Sequence, residues 1–291
     1  MLGSSLQLPG LLPANPGVFA FLRKTHTYLA YLLFFTVLAL GYQYLGLGFW
    51  SVLPLAAITA ALAGVFLAVD LILWHQSIYI VGPGIGSILT NCQVFFMTLL
   101  GFSLLKEKPS LYFVLSISLA FVGLYMLLLP EMGSSVGIQG VVYGVLSGLA
   151  YAVCVYFLKV NTGLPDGGGD KIAQMLNLSL WSALVLLAYA LAMGESLVIA
   201  DRQTLLMLII YGVLVQFVGW LLVNRSIGAI SLGLAGLILL LEPVITYFID
   251  VAFLGKASSA LQISGALLTV VAVYIGSIKP PHKEPALNEP V

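Results

Sequence analysis

Three carboxylic acids lie inside long apolar stretches of this sequence, at Asp70, Glu242 and Asp250. A charged side chain at the centre of a bilayer costs about 3 kcal/mol on insertion scales, so such acids face a cavity, a partner or a substrate path. Amide, indole and hydroxyl side chains near these acids, or on a matching helix face, extend the set. The predicted substrate or proton site comprises Glu242, Gln93, Asp70, Asp250, Asn91, Trp74 and Thr246.

Two interpretations of Glu242 remain open. It serves either as a proton site or counter-charge for a substrate ammonium, or as a protonated carboxyl hydrogen-bonded to a neighbouring helix. The next residue, Pro243, has no backbone N–H and leaves the carbonyl of Leu239 without its helical partner. The sequence therefore predicts a helix kink at Pro243. A kink suits a cavity, although prolines also occur in ordinary membrane helices.

Other polar residues have competing structural interpretations. Asp70 lies one turn before Trp74, and we expect it near the outer end of its helix, where snorkelling to the interface competes with substrate contact. His75 is expected just past the same helix as a polar anchor. Glu107 is flanked by two lysines, which favours an interfacial ion pair or a helix-terminal group.

The sequence contains no signature of a metal centre or a catalytic site. It has three His and two Cys, and both Cys92 and Cys154 lie in apolar runs, where cysteine acts as a small hydrophobe. The run Gly167-Gly168-Gly169 lacks the Lys-Ser/Thr that a phosphate-binding loop needs. We therefore expect no enzyme activity, no metal and no cofactor.

The composition indicates an integral membrane protein. Of 291 residues, 61% are hydrophobic and 8% charged, and the mean hydropathy is +1.10. Soluble domains contain about 25% charged residues, so this sequence cannot cover a water-facing surface. Eleven Lys and Arg balance eleven Asp and Glu, so the protein has no net positive charge that would attract a nucleic acid.

The apolar pattern predicts an all-α, polytopic bundle of transmembrane helices. A spanning helix needs about 20 predominantly apolar residues, and nine segments qualify. They are 24–45, 51–73, 83–105, 110–129, 137–158, 172–193, 204–223, 230–254 and 258–277.

The two halves of the sequence are related by a shift of 149 residues. Residues 75–89 then fall on 224–238, and Tyr125 meets Tyr274. Five predicted spans lie in the second half and four in the first, so we predict an inverted repeat of five plus five helices whose first helix is absent or shortened. An odd number of spans starts the second copy on the opposite face of the membrane and places a binding site near the midplane.

This repeat predicts the domain organisation and the facing residues. The predicted units are 1–130, an incomplete first repeat; 137–279, the second repeat; and 280–291, a disordered tail. Gln93 and Glu242 are equivalent under the shift, and we expect them on facing walls. The Lys and Arg bias places the C-terminus in the cytoplasm.

Three loose motifs accompany the repeat. They are Leu241-Glu242-Pro243 with Leu254-Gly255-Lys256, the first-half counterpart Leu104-Leu105-Lys106-Glu107 with Gly123, and the stretch from Trp74 to Gly84. Over roughly residues 16–278 the sequence resembles the drug/metabolite transporter superfamily, in particular its EamA-like branch. The resemblance implies a ten-helix bundle with both ends cytoplasmic that carries small polar or amphipathic metabolites, often outward. Gly255-Lys256 stands where that family has Gly-Glu.

The predicted function is a secondary transporter, an exporter of amino acids or related amphipathic compounds by alternating access. The alternative is a non-transporting or degenerate membrane protein that acts as a partner subunit. The expected partners are a small-molecule substrate and the lipid bilayer, with protons as a candidate coupling ion and a homodimer left open. We expect the protein in the bacterial cytoplasmic membrane.

Overall fold

The computed structural model describes residues 54–131, 137–164, 171–195, 197–199, 202–212, 218–254 and 257–278. Every element of regular secondary structure assigned in these ranges is a helix. The α-helices are α1 (Pro54–Val81), α2 (Pro83–Asn91), α3 (Gln93–Leu104), α4 (Leu111–Leu128), α5 (Ile138–Thr162), α6 (Lys171–Ala192), α7 (Arg202–Tyr211), α8 (Trp220–Ile227), α9 (Leu232–Leu239), α10 (Leu241–Leu254) and α11 (Ala260–Ile278). A short 3-10 turn, Leu129–Glu131, follows α4.

The predicted all-α membrane fold is confirmed, with fewer clear spans than expected. Seven helices in the described ranges are long and apolar enough to cross a membrane. The predicted span 24–45 lies outside the described residues. The predicted span 204–223 corresponds to α7 and part of α8, with 213–217 between them outside the described residues. The prediction of nine clear spans was therefore somewhat overstated.

Helix α1 is longer than the sequence pattern indicated. It continues to Val81, whereas the predicted span stopped at 73. Gly82 follows with φ 84, a left-handed conformation that favours glycine, and Pro83 then starts α2 at a position where its missing N–H costs nothing. Asp70 consequently lies well inside α1 and not near its end, and His75 is within the same helix.

Two predicted spans are broken near their middle, at positions that correspond to within one residue under the 149-residue shift. Cys92 separates α2 from α3 with φ −57 and ψ −13, and Leu240 separates α9 from α10 with φ −64 and ψ −10. Pro243, where the kink was predicted, lies three residues after the break at Leu240. It is in the first turn of α10, where a helix does not use the N–H that proline lacks. The break at Cys92 forms without a proline.

A glycine stripe brings α5 against three other helices. Gly140, Gly144 and Gly148 recur every four residues and so share one face of α5. A Cβ added at Gly140 would touch Val81 of α1, and one added at Gly148 would come within 3.0 Å of the Gln93 nitrogen. Small residues at this spacing let membrane helices approach closely.

Helices α4 and α11 are related by the 149-residue shift and pack directly on each other. The contacts pair Gly265 with Gly123, Thr269 with Ala120 and Gly276 with Ser116. The residue numbers rise along α11 while they fall along α4, so the two helices run antiparallel. Equivalent helices of an inverted repeat must cross the membrane in opposite directions, and this pair does so.

Candidate functional site

Asp70 lies in the bundle interior and is held by a hydroxyl from another helix. Its side chain is buried in the middle of α1, and the Ser147 hydroxyl of α5 donates to its Oδ1 at 2.6 Å. The Thr90 hydroxyl of α2 lies 3.3 Å from the Ser147 oxygen. Since the Ser147 hydrogen is directed at Asp70, Thr90 is the donor in this second bond. The three side chains form a polar chain across α1, α5 and α2.

The glycine stripe of α5 explains why these groups meet. Ser147 lies between Gly144 and Gly148, which face Ser77 of α1 and the Thr90 carbonyl of α2. A larger residue at either glycine would push α5 away and lengthen the bond between Ser147 and Asp70. The polar chain therefore depends on close helix approach as much as on its own side chains.

Glu242 brings a second carboxyl toward this chain. It lies in the first turn of α10, directly after the break at Leu240, and its side chain is exposed among the described residues. The Glu242 charge acts only at longer range on Asp70 and on the Tyr151 hydroxyl of α5. The Tyr151 ring lies 6.1 Å, centroid to centroid, from that of Trp220 in α8. The buried Asp70 and the Tyr151 and Trp220 rings thus lie in one region, with Glu242 as a second, exposed acid.

The other predicted site residues have different surroundings. Gln93 is buried at the start of α3, where its backbone lies against Gly148. Asn91 donates from Nδ2 to the Ser87 carbonyl of its own helix at 2.7 Å, and Trp74 meets the neighbouring His75 ring edge-on at 4.8 Å.

On α10, Thr246 is exposed, and Asp250 lies within the helix with its side chain outside the described part of the structure. The predicted pairing of Gln93 with Glu242 on facing walls stays a prediction.

Sequence reasoning missed Ser147 and Tyr151. A signal was present, because Ser147 lies inside a run of glycines spaced by four, and Tyr151 lies one turn further on the same face of α5. Within the described ranges, no group of three His, Cys, Asp or Glu could hold a metal ion. The site therefore offers carboxylates, hydroxyls and aromatic rings.

Comparison with known proteins matches residues 138–278 to the EamA-like transporter family. This match covers slightly less than half of the chain. It confirms the resemblance carried by the sequence motifs, and together with the apolar helices it indicates an integral membrane protein.

One curated relative is a "Probable amino-acid metabolite efflux pump" from Salmonella typhimurium. It is 24% identical over 209 residues, which cover 66% of this chain and 66% of that protein, slightly less than two thirds of its length. The fold also matches a crystal structure described only as that of a protein, with TM-score 0.62 and 13% identity over 86% of this chain and 98% of the other. That likeness shows the fold alone.

Proposed function

We propose that this EamA-like protein is a secondary transporter that exports amino acids or related amphipathic amines by alternating access. The amino-acid metabolite efflux named for the Salmonella relative supports the substrate class. The family match supports transport across a membrane and not an enzymatic role. The antiparallel packing of the equivalent helices α4 and α11 supports two halves that rock against each other.

One observation carries the site assignment: Asp70 is buried at mid-helix and accepts the Ser147 hydroxyl of another helix. A carboxyl in an apolar interior, with a second acid at Glu242, favours a cationic ligand group, because a substrate ammonium would supply the counter-charge. The Tyr151 and Trp220 rings would receive the apolar part of the substrate or stack on its cation. Ser147 would hold the Asp70 carboxylate in position.

Orientation and coupling belong to the same proposal. The Lys and Arg bias favours a C-terminus in the cytoplasm of a bacterial inner membrane. Glu242 is the proposed proton carrier, whereas Asp70, which accepts the Ser147 hydroxyl, is the proposed site for the substrate ammonium. A pH gradient that leaves flux unchanged would favour facilitated exchange instead.

Transport in reconstituted vesicles tests the proposal. Proteoliposomes loaded with a panel of labelled amino acids and their amine analogues should release at least one of them faster than empty liposomes. Asp70→Asn and Glu242→Gln should each slow that release roughly ten- to a hundredfold, the value of one lost charge-assisted contact. The matched control is Glu195→Gln, an acid beyond the end of α6 and away from the site.

Two outcomes would contradict the proposal. Wild-type release equal to that of empty liposomes across the panel would favour the non-transporting partner subunit. Full transport by both Asp70→Asn and Glu242→Gln would remove these residues from the substrate path.

A further inference from the structure

A second buried polar network lies away from the substrate site, around Glu107. This residue follows α3, and its backbone N–H donates to the Gly101 carbonyl at 2.9 Å. Both carboxylate oxygens accept the N–H of Leu232, at 2.8 and 3.0 Å. Leu232 is the first residue of α9, so the carboxylate lies at the positive end of that helix.

Lys159 completes the network from the last turn of α5. Its Nζ lies 3.7 Å from Glu107 Oε1, and the two side chains are 7% and 6% exposed. The same ammonium donates to the Ile227 carbonyl at 3.3 Å and to the Ile230 carbonyl, which lie where α8 ends and the chain turns toward α9. Each charged group therefore contacts an opposite charge and also backbone groups that hydrogen-bond to it. A buried ion pair needs such contacts to offset the cost of desolvation.

The network joins the two halves of the protein. Glu107 lies in the connection between α3 and α4, inside the predicted first repeat. Lys159 and the connection from α8 to α9 lie inside the predicted second repeat. Any movement that parts the halves at this end must separate Glu107 from Leu232 and from Lys159.

The repeat cannot form the same network at the opposite end. Under the 149-residue shift, Glu107 corresponds to Lys256 and Lys159 corresponds to Gly10. The acid is replaced by a base, and the base by a residue without a side chain. The sequence of the predicted repeat therefore predicts this ion pair at one end of the membrane.

We propose that Glu107 and Lys159, with the start of α9, form the gate that closes this end of the transport path. The inference rests on the proposed function, because a gate presupposes alternating access. The charged groups release each other when the end opens, and water then hydrates both. Glu107 and Lys159 act on the equilibrium between the two access states and do not contact the substrate.

The native thiol of Cys154 provides a reporter for the opening. Cys154 is fully buried on α5, five residues before Lys159 and three after Tyr151. If the network closes this end, a reagent that enters from the Lys159 end must pass it to reach Cys154. Cys92→Ser removes the other cysteine, and a membrane-impermeant methanethiosulfonate is then added separately to each face of membrane vesicles.

Breaking the network should expose the reporter from one face. Lys159→Met, which keeps the length of the side chain, should raise the rate of Cys154 modification about tenfold or more from the face carrying Lys159. Gly101→Ala should do the same without changing any charge, because its new Cβ would overlap the Glu107 carboxylate. Lys106→Met, an exposed neighbour, is the matched control and should leave the rate unchanged.

Exchanging the two charges tests whether the gate depends on the backbone groups around it or only on the attraction between Glu107 and Lys159. In Glu107→Lys/Lys159→Glu the two charges still attract, but the lysine would face the Leu232 N–H and the glutamate would face the Ile227 and Ile230 carbonyls. We expect the swap to leave the path open. Restoration of wild-type protection by the swap would overturn the role of the α9 terminus.

The outcomes distinguish failure of the gate from failure of the proposed function. If wild-type protein transports substrate and Cys154 stays equally protected in folded Lys159→Met and Gly101→Ala, the gate proposal is wrong. Modification only from the opposite face would also contradict it. If wild-type protein transports nothing, the proposed function fails, whereas the reporter still shows whether the network closes this end.

Discussion

At the scale of single residues, interior amides and hydroxyls join helices that are distant in sequence. Asn161, near the end of α5, is fully buried and donates from Nδ2 to the Ala56 carbonyl at 2.7 Å and to the Thr59 hydroxyl oxygen at 2.6 Å. Both acceptors lie at the start of α1, so this amide fixes one end of the contact between α1 and α5. Its Oδ1 has no hydrogen-bond partner among the described residues.

A double-mutant cycle of Asn161→Ala and Thr59→Val measures this contact. Interhelical hydrogen bonds in membrane proteins contribute about 0.6 to 2 kcal/mol, so we expect a coupling free energy of about 1 kcal/mol for unfolding in mixed micelles. Ser103→Ala is the control, because the Ser103 hydroxyl donates to the Leu99 carbonyl of its own helix at 2.7 Å and faces outward. Strictly additive changes at Asn161 and Thr59 would show that the bond contributes nothing.

The candidate acids can be identified from the sequence, but the residues that contact them cannot. Asp70 and Glu242 are recognisable because a charged side chain in an apolar stretch has a high free-energy cost in the bilayer. Ser147 does not stand out, since serine is common in membrane helices and its bond to Asp70 joins residues 77 apart. Glu107 was predicted as an ion pair or helix-terminal group. Its partners, Lys159 and the start of α9, come from distant parts of the chain that only the fold brings together.

At the scale of helices, α5 organises the described bundle through its glycine face. The Ser77 hydroxyl of α1 donates to the Gly140 carbonyl at 2.8 Å, and the Leu89 side chain of α2 lies where a Cβ of Gly144 would be. At Gly148 an added Cβ would lie 2.7 Å from the Thr90 carbonyl oxygen. The break between α2 and α3 thus packs directly on the backbone of α5.

Gly148→Ala should separate α5 from this break. The new methyl group would meet backbone atoms, which cannot rotate away as a side chain can, so we expect unfolding to become easier by about 1 to 3 kcal/mol. Thermal unfolding in detergent measures the change. Gly163→Ala lies at the exposed end of the same helix, where the Val160 carbonyl oxygen would be 3.5 Å from the new methyl group, and should change stability by less than about 0.5 kcal/mol. Equal effects at both positions would contradict close packing at Gly148.

The presence of each helix could be predicted from the length of its apolar run, whereas the positions of helix ends and interruptions could not. The predicted span 110–129 and α4, Leu111–Leu128, nearly coincide because charged and turn residues flank the apolar run. The extension of α1 to Val81 was missed because Trp74 to Gln76 resemble an interface, although helical hydrogen bonds continue through them. The break at Cys92 has no proline, and hydropathy does not distinguish a broken span from a continuous one.

At the scale of the whole molecule, the two copies of the predicted repeat are in contact with each other. The Thr269 hydroxyl donates to the Ala120 carbonyl at 3.3 Å, and these two residues are separated by 149 positions, the same shift that aligns the two halves of the sequence. A residue that contacts its own repeat equivalent lies close to the axis relating the copies. The axis therefore passes between α4 and α11.

This antiparallel arrangement predicts which cysteine pairs will crosslink. A Cβ built at Gly276 would lie 3.0 Å from Ser116 Cβ, so Ser116→Cys with Gly276→Cys, in a background of Cys92→Ser and Cys154→Ser, should form a disulfide on mild oxidation. Leu111→Cys with Ala260→Cys is the control, since both residues begin their helices and antiparallel packing puts them at opposite ends, about 27 Å apart for 18 residues.

Titration of free thiols in the unfolded, oxidised protein gives the result. We expect loss of both thiols in the first pair and retention of both in the second. The reverse pattern would mean that α4 and α11 run parallel. The two copies would then cross the membrane in the same direction, and an inverted repeat with alternating access around its axis would be excluded for this protein.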